Sequence, residues 1–122
     1  MSFTLTVEQG LPYIFVVCTG PVSLAELCAA ADFVASLAQR RRQQRALLEL
    51  SGTQPDLSFT DHLQLGTHVA QAFGTLQRVG TVVSQDNRVG TSEKAARKSG
   101  LRLRTFTDLE TAQKWLLSDD IM

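Results

Sequence analysis

Cysteine and surplus charge are both scarce in this chain, and each shortage excludes a class of protein. Two cysteines among 122 residues cannot staple a disulfide-dense secreted scaffold. Cys18 falls in a strand pattern and Cys28 in a helix pattern, which reads as two buried thiols in a reducing cytoplasm, with a disulfide as the lesser alternative. Twelve basic and twelve acidic side chains leave no net charge, which argues against nucleic acid or an anionic membrane surface as the main partner. The longest apolar run, Tyr13 to Cys18, is far short of the roughly 20 residues of a membrane helix. No stable membrane insertion is expected, and Met1-Ser2-Phe3-Thr4 lacks the basic start and apolar core of a signal peptide.

Motifs for cofactors are missing as well. No Gly-x-Gly-x-x-Gly follows a strand pattern, and no Gly-Lys-Ser/Thr phosphate loop occurs. His62 and His68 are six residues apart and so sit on different faces of a helix, whereas a zinc pair on one helix needs a spacing of four. There is no Cys-x-x-Cys. The expectation is no metal, no cofactor and no enzymatic activity. The Arg40-Arg41-Arg42 and Arg45 cluster is explained by a solvated helix end complementing the helix dipole.

What is present is a pattern of alternating strands and helices organised around Arg45–Ser51. That stretch is apolar on both alternations and bounded by Gly52, the mark of a parallel strand covered on both faces. Before it, Phe3–Val7 alternates as a half-exposed strand, and Tyr13–Cys18 is a more continuous one, so an antiparallel pair is expected with the first strand at an edge. Gly20-Pro21 is expected to end the second strand. Ser23-Leu24-Ala25-Glu26 forms a capping box, and Leu24, Leu27, Cys28, Ala31, Val34 and Ala38 make one apolar stripe behind it.

After a loop over Gly52–Asp56, a second helix is expected to start at Thr60 or Asp61 and run to Phe73. Its Gly66, Ala70 and Gly74 form a ridge of small residues suited to close approach to the sheet. A strand over Val79–Ser84 and a short helix over Glu93–Lys98 follow. Leu101–Phe106 alternates as an edge strand, and a final helix opens on a second capping box, Thr107 to Glu110. The order is β-β-α-β-α-β-α-β-α. The fold class is therefore α/β in a single domain over 1–122, with a mainly parallel sheet of about five strands and an antiparallel N-terminal strand.

Together with this order, Leu47-Leu48-Glu49-Leu50-Ser51-Gly52, Arg78-Val79-Gly80-Thr81-Val82-Val83 and the closing segment Arg104–Leu116 resemble the SpoIIAA-like (STAS) family of anti-sigma-factor antagonists and its uncharacterised bacterial branch. The resemblance covers nearly the whole chain and implies a cytoplasmic regulatory module. It also implies a departure. Antagonists of the partner-switching kind open the corresponding helix with Asp-Ser-Ser-Gly-Leu-Gly, and one serine is phosphorylated. This chain reads Asp61-His62-Leu63-Gln64-Leu65-Gly66, so the acidic residue and the Leu-Gly pair are kept and both serines are replaced. A phosphate adding about two negative charges has no hydroxyl there. The same fold class holds the CRAL-TRIO lipid-binding domains, which implies that an apolar groove is open to this fold.

Ligands of open parallel sheets tend to bind beyond the carboxyl ends of the strands. Those ends, with the start of the second helix, bring forward Glu49, Ser51, Phe59, Asp61, His62, Leu63, Asp86, Asn87 and Arg88 as candidate binding residues. Helix starts and turns collect such residues for structural reasons too. Glu49, a carboxylate inside an apolar strand, needs a partner, for which Arg78, Arg88 or a helix N-terminus are the candidates, and it serves as well as a plain acceptor of backbone N–H. An enzyme would require Glu49, Asp61, His62 or Asp86 to converge on an open cleft. Two readings lead: a module that contacts a protein partner through the second helix and the neighbouring strand-end loops, and a binder of a small apolar or amphipathic ligand between that helix and the sheet. The exposed edge strand and surplus apolar residues also allow a homodimer.

Overall fold

A computed structural model describes residues 2–85 and 102–118. Its strands are β1 (Thr4–Glu8), β2 (Ile14–Val22), β3 (Arg45–Pro55), β4 (Arg78–Val82) and β5 (Leu103–Phe106), and its helices are α1 (Leu24–Arg41), α2 (Phe59–Ala72) and α3 (Leu109–Leu117). The sheet order is β1-β2-β3-β4-β5. β1 pairs antiparallel with β2, and every other pairing is parallel. The architecture is the expected α/β class, with β3 in the middle of the sheet. The expected helix over Glu93–Lys98 lies outside the described residues.

Strand alternation divides the core into two layers. Ile14, Val16 and Cys18 of β2, Ala46 and Leu48 of β3, Val79 of β4 and Leu103 of β5 pack with Ala31, Val34 and Ala38 of α1. The other pleat face carries Leu47, Val82 and Phe106, which pack with Ala112 and Leu116 of α3. Full burial of an aliphatic chain such as Leu47 is worth about 1.5–3 kcal/mol, so β3, buried on both sides, contributes to both layers. Gly80 leaves room for this packing: a Cβ would come within 3.1 Å of Leu47 Cδ1, which would have to give way, and 3.7 Å of the Trp115 ring.

Local signals and pairing disagree in two places. Gly20-Pro21 does not end β2. β2 and β3 step past an irregularity between Val17 and Thr19 and continue in register to Val22↔Pro55, which also absorbs the expected loop after Gly52. The last β1 partner is Thr4↔Thr19, so this length of β2 is edge strand, where proline is tolerated. Gly20 takes a φ of 97°, a region that favours glycine. Likewise α2 starts at Phe59, earlier than expected, because Ser58 is its N-cap in a full capping box with Asp61. For α3 the cap is Asp108, whose carboxylate accepts from Thr111 N–H at 2.8 Å, in place of the expected Thr107 box.

Two arginines paired across β3 and β4, Arg45↔Arg78, hold the C-terminal end of α3. Arg45 donates to the Leu116 carbonyl at 2.7 Å, and Arg78 donates to the Trp115 carbonyl at 2.6 Å. The Arg78 guanidinium also lies 5.4 Å from the Trp115 ring centroid. Cations at a helix C-terminus complement its dipole and satisfy orphan carbonyls.

Candidate functional site

The capping box at the start of α2 fixes the face the helix turns to the sheet. With Phe59 as its first residue, His62, Leu65, Gly66 and Val69 fall on one side and Phe59 and Leu63 on another, one turn apart. Phe59 is 69% exposed and Leu63 40%, while Gly66 is the one buried residue of the helix. The main packing partner of α2 is α1, with His68 Nε2 2.8 Å from Asp32 Oδ1 between them. The ridge of small residues therefore does not bring α2 down onto the sheet as expected. The helix stands off, and an apolar cavity of about 130 Å³ lies beneath it.

Each wall of that cavity has a simple origin. The pleat face of the α1 layer supplies Leu48, Leu50 and Thr53 from β3, Thr81 from β4 and Leu103 and Thr105 from β5. The roof is Leu65, Gly66 and Val69 of α2, and Leu27 and Ala31 of α1 close one side. Pro55, Leu57 and His62, all half-buried, stand where β3 passes into α2. The polar atoms among these walls are engaged locally. Thr53 donates to the Leu50 carbonyl at 2.6 Å, and Thr81 donates to the Thr105 hydroxyl at 3.1 Å. Among the described residues no Asp, Glu, Lys or Arg lines the cavity.

The residues expected to share one rim separate. Glu49 follows Leu47 on the α3 side of β3, on the opposite face of the sheet from α2. Its Oε1 accepts from the Ser51 N–H at 2.8 Å and the Ser51 hydroxyl at 2.6 Å. Arg78 is not its neighbour, being opposite Arg45 and about 13 Å back along the strand at roughly 3.3 Å per residue. Asp61 is engaged in the cap, accepting from Ser58 N–H at 3.1 Å. His62 reaches the cavity, and Phe59 and Leu63 face outward. Asp86, Asn87 and Arg88 lie outside the described residues. Among the described residues no group of three or more His, Cys, Asp or Glu is placed to hold a metal ion, and no helix is long and apolar enough to cross a membrane.

Both cysteines are free thiols. Burial, with a smaller contribution from the Glu49 charge, pushes the Cys18 thiol up to about 11. Burial and then Asp32 raise that of Cys28 as well. Both shifts disfavour the thiolate that a nucleophile requires.

Comparison with solved structures adds the fold. An anti-sigma factor antagonist from Mycobacterium paratuberculosis superposes with a TM-score of 0.66 at 13% identity, over 96% of each chain. An uncharacterised protein of the DUF3478 family with a SpoIIAA-like fold, from Shewanella loihica, superposes with a TM-score of 0.56 at 16% identity, over 93% of each chain. The fold is SpoIIAA-like. At these identities the likeness is one of fold alone. No protein-family model and no curated protein sequence matches the chain. Of the candidate residues named from the sequence, His62 is the one that lines this cavity among the described residues, and its walls Leu48, Leu50, Thr81, Leu103 and Thr105 were not among them. Their signal was their common pleat face, opposite the small residues Ala31 and Gly66.

Proposed function

We propose that the protein is a non-enzymatic cytoplasmic regulatory module that works by protein–protein contact through the outer side of α2. The observation that carries this reading is the pair Phe59 and Leu63, two large apolar side chains left exposed one turn apart at the opening of a helix. Rigidly presented apolar side chains of this kind are what a partner surface buries. The SpoIIAA-like fold, shared with an anti-sigma factor antagonist, supports it. Because His62 and Leu63 stand where partner-switching antagonists carry serines, the contact is not switched by phosphorylation at those positions. Self-association through the same side chains is one form of this contact.

The test is capture of partners from the source cell with the wild-type chain, Leu63→Asp and Phe59→Asp. A partner, or a second copy, held by the wild type and lost with both variants supports the reading. Capture that is equal in all three, or absent from all three, defeats it. A second reading is favoured by the cavity: the inner side of α2 holds a small apolar ligand against the sheet.

A further inference from the structure

The second reading leaves the chemistry of the ligand open, and the walls of the cavity narrow it. We propose that the space beneath α2 is a binding site for a compact, uncharged, apolar molecule of about the size of benzene, and not for a long-chain or charged lipid. This rests on the reading of the cavity as a ligand site.

Volume is the first argument. Apolar cavities of about 150 Å³ stay dry and take benzene or xenon, and this one is about 130 Å³. A long acyl chain exceeds it. Charge is the second. A carboxylate or ammonium taken from water needs a partner, and among the described residues no Asp, Glu, Lys or Arg stands in the walls. Hydrogen bonding is the third. The Thr53 hydroxyl is turned to the Leu50 carbonyl, and the Thr81 and Thr105 hydroxyls are turned to each other, so these three hydroxyls offer a polar ligand little in exchange for lost water; the His62 imidazole stands at the margin, where β3 passes into α2. Leu48, Leu50, Leu65, Val69 and Leu103 among the other walls are branched aliphatic chains, and the Phe73 ring lies with them. Pro55, Leu57 and His62, each half-buried where β3 passes into the first turn of α2, border the entry.

Methyl-resolved NMR of the full chain, titrated with benzene and separately with decanoate, tests this. Benzene is expected to shift the methyl resonances of Leu48, Leu65, Val69 and Leu103 together and to raise Tm. Val69→Phe fills the site and is expected to weaken benzene binding at least tenfold while the remaining spectrum stays folded. Thr81→Leu does the same from the floor if the first variant fails to fold. Benzene shifts that are unchanged in the filled variant, or that fall outside these methyls, overturn the proposal. Decanoate bound at these methyls in place of benzene overturns the stated ligand class and leaves the cavity reading standing. Binding of neither overturns both.

Discussion

α1 and α2 lie side by side on the same face of the sheet and start in the same way, yet they do opposite work. Each opens on a serine N-cap with a reciprocal acidic residue three positions on. α1 then buries Ala30, Ala31, Val34 and Ala38, and its Val34 and Ala38 are completely excluded from solvent. α2 buries only Gly66, exposes Phe59 and Leu63, and borders an apolar cavity on its inner side. The difference teaches that capping decides where a helix begins and says nothing about how closely it packs. Side-chain volume facing the sheet decides that. α1 belongs to the scaffold, and α2, anchored mainly to another helix, is the element free to serve a partner or a ligand.

The comparison breaks most visibly in the core of α1. Val34→Asp places an uncompensated charge where nothing can solvate it, and loss of cooperative unfolding by circular dichroism is the expected outcome. Retention of a native melt would remove α1 from the scaffold.

The buried layer under α1 also carries an alkaline signature. The Cys18 thiol is raised from 9.0 to about 11, so the folded state prefers the neutral thiol. Its contribution to stability is fully present below pH 9 and is lost as pH rises toward 11. Stability measured across that window should fall for the wild type and fall less for Cys18→Ala. In parallel, iodoacetamide at pH 8 should modify the half-buried Cys28 before Cys18.

The caps sharpen the contrast at a smaller scale. Ser23→Ala and Ser58→Ala each remove one cap hydrogen bond, worth about 1 kcal/mol. The first should lower global stability by that amount. The second should chiefly speed amide exchange within α2, because that helix opens separately from the core. Equal effects on global stability would contradict the division. The smallest effect is expected on the outer side of α2, where Leu63→Asp should change stability by no more than about 0.5 kcal/mol while abolishing partner capture.

Much of this scaffold was legible before any coordinates. β3 could be placed at the centre because its residues are apolar on both alternations, a pattern that only a strand covered on both faces requires. α1 was legible from its capping box and stripe. The errors came where pairing outweighs local turn chemistry. Gly20-Pro21 reads as a break, but β2 and β3 extend each other past it. Ser58 caps α2 with Asp61 as its reciprocal partner where a capping box usually has glutamate or glutamine, and Asp108 caps α3 next to a Thr107–Glu110 pair that matches the box pattern better. The candidate site was less legible. A one-dimensional pattern puts Glu49 and Asp61 near the same strand ends and cannot show that the pleat turns Glu49 to the other face. A void is invisible for the same reason, since it depends on the height of α2 above the sheet.

α2 stands off the sheet over an apolar cavity. The most direct measurement is a crystal of the protein pressurised with xenon and searched for anomalous density. One strong peak is expected among Leu48, Leu65, Val69 and Leu103. A core filled by side chains in that region, with α2 seated on the strands and no xenon between them, would contradict it.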